Sequence, residues 1–396
     1  MNILFLSRWY PFPPNNGSKL RVFHLLRALA AKHTITLLSF REAQEVVDTD
    51  APEVHALCRE VHTIPWPKFN PTSSTAIAGL FSAKPRSVLD SYSPQMAAKL
   101  QQLIATNHYD VIIASQVGSA GYGHLFQNIP ALFEEVEMGI FHEQLAQASS
   151  LKSRLRYRLT LAKQTSYLRD LLHHFDSCTV VSEPERELVK TAVPTFPTIE
   201  VVPNCMNLTD YREVQVEKRP NSLIFTGSFT YHVNHQAMVW FLREVNPLIQ
   251  AQIPDVHISI TGDHANLPLP PANNVTLTGF VDDIRGWIAG SSISLAPIFL
   301  GGGTRLKILE AMALLTPVVA TTKGAEGLDV TNGKNIFLAD TPQAFAAAVV
   351  RLLQDPTLQR EIAENAYQLI AEKYDWPSVA PHFLNLVERT AQAKKV

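Results

Sequence analysis

Short apolar runs alternate with longer stretches of helical period from one end of the chain to the other, and few folds accommodate that alternation. In the first half the apolar runs fall at 3–7, 34–39, 61–64, 111–114, 132–134, 177–181 and 199–202, with helical stretches at 18–32, 94–106 and 153–174. The second half continues with runs at 223–226, 257–261, 275–278, 294–296, 317–321 and 336–338. Its helical stretches are 234–252, 282–289, 304–315, 342–353 and 356–373. Strands and helices in alternation build parallel sheets covered by helices on both faces, and ligands of such sheets bind at the carboxyl ends of the strands.

At 396 residues the chain exceeds one ordinary core, and roughly two or three domains are expected. The halves share a plan. The run at 3–7 leads through a Pro/Asn/Gly loop into a helix, and the run at 223–226 leads through a Ser/Thr/Asn loop into another. Between them 203–220 is polar, charged and bounded by prolines, which suits a linker. The expected fold is α/β, with a Rossmann-like domain over 1–203, a linker over 204–220 and a second Rossmann-like domain over 221–376. Both domains are expected to be doubly wound and to face each other across a cleft. A final helix over 377–393, after the break at Asp375-Trp376-Pro377, is expected to pack back on the first domain.

Charge is balanced, 34 Lys and Arg against 36 Asp and Glu, so nothing in the total calls for nucleic acid as a partner. Cys58, Cys178 and Cys205 lie far apart without metal-ligand spacing, which argues against a disulfide framework or a zinc site. Before Arg8 the N-terminus is apolar only over Ile3–Leu6, too short for a signal peptide, and no run approaches the ~18 apolar residues of a membrane span. A cytoplasmic protein is expected.

The stretch 301–320 carries the clearest chemistry. Gly301, Gly302, Gly303 and Thr304 let the backbone approach a ligand, and their N–H groups join those of a helix N-terminus as an anion site. Arg305 and Lys307 add two cations, and Glu310, further along the helix, can accept hydrogen bonds from hydroxyl groups. Phosphate at one end and a polyol at the other describes a nucleotide-sugar. The same glycines also suit a plain tight turn, and Lys307 and Glu310, three apart, also suit a surface ion pair.

Elsewhere the residues leave alternatives open. Asn16, Gly17 and Ser18 precede a helix and serve either as its cap or as a loop facing the ligand, with Arg21 on the first turn behind them. Glu134 and Glu135 stand at the carboxyl end of a strand, a place for chemistry or for a solvated acidic loop. His142 is the nearest histidine able to contact a sugar hydroxyl, although lone histidines are more often structural. Over 151–172, Lys152, Arg154, Arg156, Arg158, Lys163 and Arg169 are interleaved with leucines and tyrosines. A basic amphipathic helix of that kind lies on anionic lipid or presents a solvated face.

Several segments in fixed order resemble a known family. They are Pro13-Pro14-Asn15-Asn16-Gly17-Ser18-Lys19-Leu20-Arg21, Val180-Val181-Ser182-Glu183, Val202-Pro203-Asn204, Phe225-Thr226-Gly227-Ser228 with Asn234, Gly279-Phe280-Val281-Asp282-Asp283, the 301–320 block and Tyr374-Asp375-Trp376. Together they resemble the family 4 glycosyltransferases of GT-B fold, the glycosyl transferases group 1, and the resemblance covers essentially the whole chain. It implies transfer of a sugar from a nucleotide-diphosphate-sugar to a glycan, lipid-linked or small-molecule acceptor, with retention of configuration and no essential metal or other cofactor. It places Glu310 on the nucleotide ribose, Arg305 and Lys307 on the diphosphate, and Gly227, Ser228 and Ala311 along the donor. The family carries a further glutamate eight residues before Glu310, where this chain has Gly302. In this chain backbone N–H groups of Gly302, Gly303 and Thr304 would take over its contact with the sugar, and a branch with the pattern Gly-Gly-x-x-Arg-Leu-Lys-x-Leu-Glu-Ala, in which Arg305 and Lys307 serve the diphosphate, matches better.

Two other classes of function fit the same features. A nucleotide-sugar epimerase would use Glu134 or Glu135 to move a proton, and a non-catalytic nucleotide-sugar-binding protein would explain Gly302. A dinucleotide dehydrogenase is disfavoured, because no Gly-x-Gly-x-x-Gly follows either leading strand.

Overall fold

A computed structural model of the chain describes residues 1–42, 51–214, 216–301 and 305–393. It divides into two units, Met1–Pro203 with the chain from Ala380 onward, and Asn204–Val379. Among the described residues the first unit builds its sheet from β1 (Asn2–Ser7), β2 (Thr34–Arg41), β3 (Glu60–Pro65), β4 (Val111–Ser115), β5 (Ala131–Glu134), β6 (Ser177–Val180) and β7 (Ile199–Val201). The second builds its own from β8 (Ser222–Thr226), β9 (His257–Thr261), β10 (Val275–Gly279), β11 (Ile293–Ala296), β12 (Val318–Ala320) and β13 (Phe337–Leu338).

Every pairing in both sheets is parallel. The central strands are continuous apolar runs because helices cover both faces: Ile3, Leu4, Phe5 and Leu6 are all fully buried. The strand orders are β3-β2-β1-β4-β5-β6-β7 and β10-β9-β8-β11-β12-β13. Each sheet starts at its centre, winds outward one way, and then returns to wind the other way. The reversal falls between β1 and β4 in one unit and between β8 and β11 in the other, and a doubly wound sheet opens its ligand crevice at that point.

Local chemistry decides where several helices differ from the spacing read in the sequence. The stretch expected over 153–174 is a helix at Leu151–Leu172, because Ser150 and Ser153 cap it reciprocally. The stretch expected over 234–252 is broken into the helix His232–Trp240, a π-turn at Phe241–Val245 and a short helix Asn246–Gln250. Pro247 has no N–H to continue the i to i−4 ladder, and the Asn246 N–H reaches back to the Phe241 carbonyl instead. The stretch expected over 304–315 is helical at Leu306–Ala313 and stops where Leu315 takes φ +53°, two residues before Pro317.

The segment read as a linker, 204–220, is built into the second unit. The Met206 N–H donates to the Tyr374 carbonyl (2.7 Å), the Leu208 N–H to Asp375 Oδ1 (3.1 Å), and the Arg219 N–H to the Gly290 carbonyl (2.9 Å). The last helix, Trp376–Ala391, crosses the division between the units. Within the second unit the Trp376 N–H donates to the Met206 carbonyl, and within the first Thr390 shares a hydroxyl hydrogen bond with Ser177 (2.6 Å) while Arg389 donates to Glu200 (2.9 Å).

Candidate functional site

In the second unit, three segments meet where β8, β9 and β11 end. Gly227 follows β8 at φ +141°, and a Cβ there would stand 2.7 Å from Asn234 Nδ2 and 3.1 Å from Lys307 Nζ. Gly262 follows β9 at φ +109°, and its Cβ would fall 2.8 Å from the Gly227 carbonyl carbon. Both conformations and both spaces belong to glycine alone, so the two strand ends lie against each other. Asn234, on the helix His232–Trp240, donates from Nδ2 to the Ser228 carbonyl (2.8 Å) and accepts at Oδ1 from Lys307 Nζ (3.0 Å). Lys307 Nζ also sits 4.1 Å from the centroid of the Phe225 ring, a cation–π contact. Lys307 is thereby tied to the end of β8 although it is carried by the helix Leu306–Ala313.

Glu310 follows Lys307 by one turn of that helix. Burial pushes its carboxyl up to about 7, against the pull of Lys307 and of a hydrogen bond from Tyr211. Burial brings the Lys307 ammonium down to about 7, Arg305 pushes the same way, and Glu310 opposes. Both groups are displaced toward their neutral forms, a displacement common at functional sites. Arg305 is almost fully buried and donates to the Gly301 carbonyl. Gly301 takes φ +92°, and a Cβ on it would lie 2.4 Å from the Tyr231 hydroxyl.

The remaining donor-side expectations divide. Ser228 is half-buried and shares a hydrogen bond with Thr230 (2.7 Å). Ala311 is fully buried in the apolar cluster of Ile308, Leu309 and Met312, so its side chain faces the core rather than a ligand. Gly302, Gly303 and Thr304 lie outside the described residues. Sequence reasoning missed Tyr211, a single aromatic residue in a polar stretch that reads as linker, and Gly262, a single glycine at a strand end.

In the first unit a cavity of about 450 Å³ opens beside the ends of β4 and β5, lined by Trp9, Ser18, Gln116, Glu135, Phe141 and Tyr167 among others. Gln116 and Glu135 each follow a strand in the left-handed region, at φ +64° and +63°. Non-glycine residues hold that conformation only where the surroundings enforce it, and such strain gathers at functional sites. The Glu135 N–H donates to Thr179 Oγ1 (2.9 Å), and its carboxylate accepts from Gln116 Nε2 (2.7 Å), which also reaches Ser18 Oγ (3.3 Å). Burial raises the Glu135 carboxyl to about 7, Arg21 opposes and Glu134 adds to the rise.

The other acceptor-side expectations meet different surroundings. Arg21 does not project toward a ligand: it is 2% exposed, donates from Nε to Glu134 Oε1 (2.6 Å) and from its terminal nitrogens to the Val202 (2.9 Å) and Pro203 (3.1 Å) carbonyls. Glu134 is fully buried, and its other oxygen accepts from Ser115 Oγ (2.7 Å). A guanidinium and a carboxylate both removed from water require partners at every polar atom, which explains the set. His142 is exposed on the helix Gly139–Ala146 and does not line the cavity. Asn16 caps the helix Gly17–Ala30 by accepting from the Lys19 N–H (3.0 Å), with Gly17 its first residue.

Among the described residues, no group of three or more His, Cys, Asp or Glu side chains is gathered as a metal site. No helix among them is long and apolar enough to cross a membrane.

Residues 220–355 match the family model described as glycosyl transferases group 1. An uncharacterized 44.6 kDa protein in the cps region of Klebsiella pneumoniae is 27% identical over 165 residues, 39% of this chain and 42% of that protein. The chain spans less than half the length of the first curated relatives it matches. Sucrose-phosphate synthase from Thermosynechococcus elongatus superposes with a TM-score of 0.68 at 18% identity, covering 98% of each chain. Anabaena HepE, solved in complex with UDP, superposes with a TM-score of 0.66 at 17% identity, covering 98% of this chain and 100% of that one. These likenesses show the fold, two parallel-sheet α/β domains of the GT-B type.

Proposed function

We propose that this chain, whose residues 220–355 match the family model of the glycosyl transferases group 1, transfers a sugar from a nucleoside-diphosphate sugar with retention of configuration and without an essential metal. The donor lies in the second unit at the ends of β8 and β11. The observation that carries this reading is the fixing of Lys307 between Phe225 and Asn234, with Glu310 one turn behind it. That arrangement offers a cation to a diphosphate and a carboxylate to the two hydroxyls of a ribose. HepE, of the same fold, binds UDP, which makes uridine diphosphate sugars the first donors to try.

The transition state of such a transfer places negative charge on the departing phosphate and positive charge on the sugar. Lys307 and Arg305, held in place before the reaction, stabilise the departing charge, and one such donor is worth about 3–4 kcal/mol of barrier. In a front-face displacement the departing phosphate accepts the acceptor's proton, so no pair of carboxylates of the glycosidase type is needed. The acceptor belongs beside Glu135 in the cavity of the first unit, whose walls suit a molecule with apolar as well as hydroxyl surface. Of the two carboxyls an epimerase would use, Glu134 is committed to Arg21 and Ser115, which leaves Glu135 to act there alone.

The test is an incubation with nucleoside-diphosphate sugars and hydroxylated acceptors in the presence of a chelator, followed by NMR of the product. Released nucleoside diphosphate with the donor's anomeric configuration kept in the product is expected. Inversion, or dependence on a divalent ion, would remove the retaining, metal-independent reading.

A further inference from the structure

The helix Leu151–Leu172 has two apolar faces, and only one of them is used by the fold. Tyr167, Leu168, Leu171 and Leu172 are buried against the first unit's core. Leu151, Leu155 and Leu159 recur every four residues on the opposite side, at 3.6 residues per turn, and are 85%, 63% and 57% exposed. Cations flank this stripe on both sides. Arg154 and Arg158 fall on one edge, Lys152 and Arg156 on the other, and all four are exposed. The side chains of Lys152, Arg154 and Arg158 make no hydrogen bond or ion pair with any described residue. The helix carries six cations against the single carboxylate of Asp170.

A second segment extends the surface. Lys163 Nζ donates to the Leu80 carbonyl (2.8 Å), which holds the neighbouring loop against the helix. On that loop Leu80 is 53% and Phe81 91% exposed. A fully exposed phenylalanine, a leucine stripe and a rim of cations free of carboxylate partners are the features of an interfacial helix, with apolar residues for the acyl boundary and cations for anionic headgroups.

We propose that this face, Leu151, Leu155 and Leu159 with Phe81 and the flanking cations, docks the protein on an anionic lipid bilayer. The charge selects this occupant: a second copy of the chain would bring the same basic rim against itself, and like charges would oppose the contact. The docking does not depend on sugar transfer, but it fits that reading. Gln164, Tyr167 and Leu168 of the same helix line the cavity of the first unit, and Tyr167 lies ~12 Å along the axis from Leu159. An amphiphilic acceptor would pass from the bilayer to the cavity along one helix.

The test is sedimentation of the full chain with phosphatidylcholine vesicles, with and without phosphatidylglycerol, at low and high salt. The chain is expected to sediment with the anionic vesicles at low salt and to be released by high salt. The triple variant Leu151→Ser, Leu155→Ser, Leu159→Ser should lose about tenfold or more in partitioning, with an unchanged melting temperature because those side chains touch no core. The variant Lys152→Gln, Arg154→Gln, Arg158→Gln should bind both vesicles alike. Failure of the wild type to bind anionic vesicles overturns the proposal, as does equal binding by the leucine variant. A wild-type dimer in light scattering that the leucine variant abolishes would give the face to a second copy and also overturn it. Vesicle binding is read without donor or acceptor, so its failure leaves the sugar-transfer reading untouched.

Discussion

Lys307 and Glu310 are displaced from their ordinary ionisation in opposite directions, both to about 7, and on the proposed reading each should move back when the donor binds. A diphosphate favours the Lys307 ammonium and raises its pKa, so binding takes up a proton there. Ribose hydroxyls donating to Glu310 favour the carboxylate and lower its pKa, so binding releases a proton there. In the wild type the two oppose each other. Calorimetry of nucleoside diphosphate binding in buffers of different ionisation enthalpy separates them: Glu310→Gln should show net proton uptake, and Lys307→Gln net release. The same sign in both variants would mean that the two groups do not divide phosphate and ribose between them.

The ends of β8 and β9 show how an element carries that pair. Gly262 touches Gly227 through backbone, and backbone cannot step aside as a side chain can. A Gly262→Ala change should cost about 1–3 kcal/mol in denaturant unfolding and weaken donor binding by displacing the β8 loop on which Lys307 and Asn234 rest. An alanine variant with wild-type stability and donor affinity would contradict this coupling. Most of the element plan was legible in the sequence, because apolar runs such as 3–7 and 257–261 are strands whichever way the chain winds. The helix expected over 234–252 was not, since the break depends on where the missing N–H of Pro247 falls in the ladder. The 301–320 block announced Lys307 and Glu310 through its composition. Tyr211 gave no such signal, because only the folding of 204–220 onto the second unit brings it beside Glu310. Arg21 was visible as a candidate, but its burial on Glu134 and two carbonyls is a property of the packed sheet and not of the local sequence.

At the scale of the whole molecule, each unit presents the reversal point of a doubly wound sheet, and the proposed function divides donor and acceptor between them. Changes in the first unit should therefore affect turnover without touching donor affinity. Glu135→Gln, which keeps the partner geometry of Gln116 and removes the ionisable carboxyl, should leave nucleoside diphosphate affinity within about twofold while lowering turnover about tenfold or more. Loss of donor affinity in that variant would contradict the division. The most direct test of the central claim is thermal unfolding of wild type and Glu310→Ala with uridine, guanosine, adenosine and cytidine diphosphates. One nucleotide at about a hundred times its Kd should stabilise the wild type by ~2.7 kcal/mol. At the same concentration Glu310→Ala should lose most of that, since hydrogen bonds to a charged group are worth about 1.5–3 kcal/mol each. An equal shift in both proteins, or no shift with any nucleotide, would contradict the assignment of the second unit's site to a nucleotide-sugar.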